Sequence, residues 1–161
     1  MDPEHGFAVE ITWTGAREGG TTGYRDYGRD HDVRAEGKQH AIAGSAARPF
    51  RGEADRWNPE EMLVAALAQC HLLSYLHVAT TEGLVVVAYR DAASGTLRTE
   101  GLGGRMVGAV LHPVVTLAAH HDEGDARRAM AAHARAGELC FIANSVSFPV
   151  RHEPRILIAE A

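Results

Sequence analysis

Cysteine is scarce in this chain of 161 residues, with only Cys70 and Cys140. That excludes a disulfide-rich scaffold, and a chain of this length buries enough core to fold without staples. Basic residues are also short: 16 against 21 acidic ones give a net charge of −5 with histidine neutral. No broad basic face for nucleic acid is expected. The N-terminal MDPEHGF carries two acids and no apolar core, so no secretory signal is expected. The most apolar run, from Met62 to Ala79, is interrupted by Gln69, His71, Ser74 and His77. It reads as a buried core helix rather than a membrane span. Two thiols without an export signal point to a cytoplasmic protein. CxxC, HxxxH and HExxH metal spacings, a GxSxG elbow, GxGxxG and a P-loop are all missing.

What remains is an ordinary globular balance, 45% hydrophobic and 23% charged, read as one domain over 1–161. Phe7, Val9, Ile11 and Trp13 alternate with more polar residues, which predicts a half-buried strand. Tyr24 to Glu36 predicts a solvent-side strand, His40 to Ser45 a third strand, and Ala46 to Trp57 a loop. These elements make a β-rich half over 1–57. A central helix is expected over about 58–80, where Asn58 can cap, Pro59 suits the first turn and Glu61 completes a capping box. Its body is apolar nearly all round, more than one small domain can cover, so a second subunit is expected against it. Over 81–161, a hairpin is expected from Leu84–Tyr89 and Thr96–Glu100 around Ser94-Gly95, then a strand from Met106 to Ala118 with Pro113 at a bulge or edge. A second helix follows over Asp122–Leu139, and a last strand through Val146, Phe148 and Val150. The order β-β-β-α-β-β-β-α-β predicts an α+β fold with mostly antiparallel strands.

Cys70 lies inside the first long helix and Cys140 at the end of the second. Each could be a small buried hydrophobe and nothing more. If they are a redox pair, the attacking species must be a thiolate, and burial alone opposes it, so a cation is needed nearby. The negative end of the helix dipole opposes ionisation at Cys140, whereas Cys70 sits mid-helix where an arginine can decide its charge. Cys70 is therefore the better nucleophile and Cys140 the better resolving thiol. Glu60 stands ten residues before Cys70, about 15 Å along a straight helix. Spacing alone gives it only helix-end electrostatics; if it serves Cys70, it reaches the cysteine of a partner subunit. The rival reading is a metal held by Cys70, Ser74, His77 and His133 on two helices.

At these residues the sequence resembles the osmotically inducible protein C and organic hydroperoxide resistance (OsmC/Ohr) family. The resemblance rests on NPEEMLVAALAQCHLLSYL and AGELCFIANSVSFPV, with YGRDHDVRAEGKQHAIAGSA and FRGEADRWNPEE before them, and spans roughly Val9 to Pro154. It implies an intertwined homodimer, each subunit a strongly curved antiparallel sheet wrapped around two long helices. It also implies a cofactor-free thiol peroxidase acting on organic hydroperoxides. In that scheme Cys70 becomes a sulfenic acid, Cys140 condenses with it into a disulfide, and a lipoamide-type dithiol carrier restores the pair. Glu60 matches the glutamate that pairs with the catalytic arginine; Arg29 is the best match for that arginine, with Arg25 competing. Leu63, Leu67, Phe141 and Ile142 are expected to form an apolar pocket favouring alkyl hydroperoxides. Where the best characterised members carry Cys-Pro, this chain has Cys140-Phe141-Ile142-Ala143-Asn144, the mark of a separate branch. Two other readings stand beside the peroxidase: a binding or redox-sensing protein on the same fold, and the Cys/His metal site. His31, His71 and His77 are further candidates for contact with an oxidant or ligand.

Overall fold

The computed structural model describes residues 3–160. The chain divides into two compact units, Met1–Met62 and Leu63–Ala161. In the first, β1 (Glu10–Trp13), β2 (His31–Arg34) and β3 (Ile42–Gly44) form an antiparallel sheet in that order. The alternating segment at the N-terminus thus shortens to four residues, and the strand expected over Tyr24–Glu36 shortens to its second half. Gly15–Gly28 is turn-rich instead, held by the Trp13 indole N–H, which donates to the Gly28 carbonyl at 2.9 Å.

The first long helix, α1 (Pro59–Thr81), begins at the end of this unit. Its start is the expected capping box: the Glu61 N–H donates to Asn58 Oδ1 at 2.9 Å, and the Asn58 N–H to Glu61 Oε2 at 3.4 Å. Of its 23 residues only Leu67, His71, Tyr75, Val78 and Ala79 are buried, while Leu73 is 67% exposed. This is also the one helix among the described residues long and apolar enough to span a membrane.

In the second unit, β4 (Val86–Asp91), β7 (Pro113–Leu117) and β9 (Arg155–Ile158) form one sheet in the order β4-β7-β9. A second sheet has the order β5-β6-β8, from β5 (Ser94–Glu100), β6 (Gly103–Leu111) and β8 (Val150–His152). The hairpin expected around Ser94-Gly95 does not form. β4 pairs with β7, β5 pairs with β6, and the tight turn falls at Glu100–Gly103, where Gly101 supplies a φ of 62°. The strand expected over Met106–Ala118 breaks at His112, because Pro113 has no N–H to continue the ladder, and its two halves enter different sheets. Residues 146–149 are not a strand. β8 starts at Val150, and both β8 and β9 pair in parallel with their neighbours, so the fold is α+β with mixed sheets.

Helix α2 (Glu123–Leu139) is capped by Asp122, whose carboxylate accepts from the Asp125 N–H at 2.9 Å. It packs with the C-terminal half of α1 over β4 and β7, through Tyr75, Val78, Ala79, Val115, Leu117, Ala129, Ala132 and Ala136. A smaller cluster joins Leu67 to Ala109 and Leu111 of β6. Leu111 is 1% exposed, so Leu111→Ala is expected to cost about 2–5 kcal/mol in urea unfolding. Leu102, fully exposed at the β5–β6 turn, should tolerate serine within about 0.5 kcal/mol. Equal costs at the two positions would contradict this core.

Candidate active site

The first unit holds a cavity of about 260 Å³ whose lining includes Arg29, His31, Ser45, Phe50 and Glu60. Arg29 is held by its own turn. Its Nη1 and Nη2 donate to the carbonyls of Tyr27 and Tyr24, and its guanidinium lies 4.1 Å and 4.5 Å from the centres of those two rings. Arg25, the competing arginine, is exposed and does not line the cavity. Glu60 projects from the first turn of α1 with Oε2 buried and unpartnered. Arg29 and Glu60 thus share the cavity without a hydrogen bond between them.

Asp30 ties the walls together, a role with no local sequence signal. The Ser45 hydroxyl donates to its Oδ1 at 3.0 Å, Arg56 Nε lies 3.5 Å from its Oδ2, and Ser45 Oγ accepts the Glu53 N–H. The Ser45 N–H donates to the Trp57 carbonyl, which brings the loop before α1 back beside β3.

The second unit holds both thiols. Cys140 caps the C-terminus of α2 and is 1% exposed; Cys70 is half-buried on α1. Burial, with the Cys70 thiol against it, pushes the Cys140 thiol up to about 11, although the N–H groups of Ala143 and Ile142 oppose that shift. Ala143 N lies 3.4 Å from Cys140 Sγ. Of the apolar residues expected nearby, Leu67 is fully buried, Ile142 packs on its cluster, Leu63 is half-buried and Phe141 is 81% exposed.

Between the helices lies a polar seam. His71 Nε2 and His133 Nδ1 share a hydrogen bond of 2.9 Å, and the Tyr75 hydroxyl donates to the Ala129 carbonyl at 3.1 Å. His152 stacks on His71 with ring centres 4.1 Å apart, and Tyr75 stacks on His133 at 4.1 Å. The His152 ring rests on α2 where Gly137 leaves room, since a Cβ there would come within 2.9 Å of it. Among the described residues no three His, Cys, Asp or Glu side chains are placed to hold a metal; the imidazoles stack instead of converging. His77 is exposed, whereas His133, with which the metal reading grouped it, is buried.

The OsmC-like protein family model matches residues 52–155. The chain belongs to the OsmC-like family. No curated protein sequence is significantly similar to it. Among solved structures, an OsmC-like protein of unknown function from Vibrio cholerae is 28% identical, with a TM-score of 0.82 over 94% of this chain and 99% of that one. An organic hydroperoxide resistance protein OsmC from Legionella pneumophila is 18% identical, with a TM-score of 0.69 over 97% and 99%. One from Elizabethkingia anophelis, named an organic hydroperoxide resistance protein and holding thiocyanate, is 14% identical, with a TM-score of 0.64 over 98% and 100%. These last two share the fold of this OsmC-like chain.

The seam makes stability depend on pH. Burial, aided by the neighbouring imidazoles, pushes His71 down to about 3 and His133 to about 4, and burial also lowers His152. An unfolded histidine takes up a proton near pH 6.5 while His71 and His133 stay neutral, so their contribution is full above pH 6.5 and lost as pH falls toward 4. Each deeply buried ring costs about 1.4 kcal/mol per pH unit across that window. Urea midpoints should therefore fall steadily between pH 6.5 and 4.5. A flat profile would contradict a neutral, buried seam.

Proposed function

We propose that this protein reduces organic hydroperoxides to alcohols with the Cys70–Cys140 dithiol, working as a cytoplasmic homodimer. The observation that carries the reading is the pairing of two free thiols in unlike environments. Cys70, half-buried, is reachable by a peroxide, whereas Cys140 is enclosed and held protonated until needed. The Cys70 thiolate attacks the terminal peroxide oxygen and becomes a sulfenic acid; Cys140 displaces water from it and closes the disulfide. A dithiol of the lipoamide type on a carrier protein reopens the bond by exchange.

Arg29 stabilises the thiolate and the charge building on the departing oxygen, and Glu60 orients the guanidinium. The free Oε2 of Glu60 in the cavity that Arg29 lines supports this pairing. Glu60 and Cys70 stand about 15 Å apart along one helix, so the proposed homodimer supplies the cavity of one subunit to the Cys70 of the other. Leu73, 67% exposed on α1, marks the surface a second copy would cover. Leu63, Ile142 and Phe141 receive the alkyl group, backed by Leu67 from the core. The names of the Legionella and Elizabethkingia relatives agree with this substrate class.

The alternative, a redox-recording protein with slow turnover, draws on Arg29, whose guanidinium is already committed to Tyr24 and Tyr27. Turnover separates the two readings. With a small dithiol of the dihydrolipoamide class, wild type should consume cumene hydroperoxide catalytically. Cys70→Ser should abolish consumption, and Cys140→Ser should stop after one turnover with a sulfenic acid on Cys70 that dimedone captures. Absence of catalytic consumption by wild type would contradict the peroxidase reading.

A further inference from the structure

His31 lies on β2 directly opposite Gly44 of β3, and its ring lies across that strand. A Cβ at position 44 would sit 2.3 Å from His31 Nε2, so glycine alone leaves room for the imidazole. The ring is also fixed in orientation. Its Nδ1 lies 2.9 Å from the Arg29 carbonyl oxygen, which can only accept, so Nδ1 carries a hydrogen. The proton-exchanging atom is therefore Nε2. It has no hydrogen-bond partner among the described residues, and the residue lines the same cavity as Arg29 and Glu60.

The other polar groups of that cavity cannot deliver a proton. Arginine does not release one, and here its two terminal nitrogens donate to backbone carbonyls. The Ser45 hydroxyl proton is given to Asp30. Glu60 as a carboxylate only accepts. An imidazole exchanges protons near neutral pH, and this one is mounted with one nitrogen left over.

We propose that His31 is the general acid of the hydroperoxide reaction, an inference that rests on the peroxidase reading above. A Cys70 thiolate lone pair forms the S–O bond to the terminal peroxide oxygen, and the O–O bond breaks. Sulfur is oxidised to the sulfenic acid, the hydroperoxide is reduced, and the O–O electron pair departs on the alkoxide. The alkoxide takes the Nε2 proton of the His31 imidazolium and leaves as alcohol. His31 remains neutral with its Nδ1–H still on the Arg29 carbonyl. The proton released when the next Cys70 thiol ionises recharges it through solvent.

The test uses the leaving group. An alkoxide needs a proton to depart, whereas the carboxylate released by a peracid does not. The reduced full-length protein is mixed with tert-butyl hydroperoxide or 3-chloroperbenzoic acid, and loss of the Cys70 thiol is followed in a single turnover. His31→Asn keeps an N–H where Nδ1 was and removes Nε2; His31→Gln serves as a second variant, and both are checked by circular dichroism and gel filtration. The alkyl hydroperoxide rate should fall by about 100-fold, within the range of general-acid catalysis, while the peracid rate changes by less than about threefold. Equal slowing with both oxidants, or no slowing with either, in folded variants would overturn the role of His31. If wild type itself consumes no alkyl hydroperoxide, the peroxidase reading fails, which is a separate result because failure of the His31 role leaves wild type active.

Discussion

The arrangement of the second unit depends on the polar seam between its two helices. His71 meets His133 and Tyr75 meets Ala129, four residues forward on α1 and four back on α2, so the helices run antiparallel in one register. A purely apolar contact between them would tolerate sliding; hydrogen bonds in a water-poor interior do not, because every slipped register leaves them unmade. This register runs α2 back along α1 and ends it at Cys140, beside Cys70. The same burial that makes the seam specific keeps its imidazoles neutral, which exposes the fold to acid.

As proposed, the chemistry is divided between the two units: the first would contribute charge and proton traffic through Arg29, Glu60 and His31, which line one cavity, and the second the sulfur atoms. In the proposed reaction this division suits the dithiol: Cys140 must stay unreactive until Cys70 has been oxidised, and burial achieves that without a dedicated partner. Cys70 in turn needs a cation, which the second unit does not place on the helix beside it.

Features written locally were legible in the sequence. Asn58, Pro59 and Glu61 mark the start of α1 by their own hydrogen-bonding capacity, and Asp122 does the same for α2. Pairing between distant segments was not. The Ser94-Gly95 dipeptide carries a turn signal, yet the chain stays extended there because β5 finds its partner after Gly101. Parallel strands as short as β8 and β9 have too few residues to show a period, and their partners precede them by about forty positions. Among site residues, the two cysteines and Glu60 stand out by scarcity and motif. The pairing of His133 with His71, 62 residues away, and the bracing of Ser45 by Asp30 become visible only once the backbone brings them together.

In the proposed reaction Cys70 and Cys140 act as one two-electron unit. Intact-mass measurement after one equivalent of cumene hydroperoxide tests it most directly. Rapid loss of two hydrogens per subunit is expected, with peptide mapping placing the bond between Cys70 and Cys140. Persistence of the reduced mass, or slow gain of oxygen atoms on either thiol without a disulfide, would contradict it.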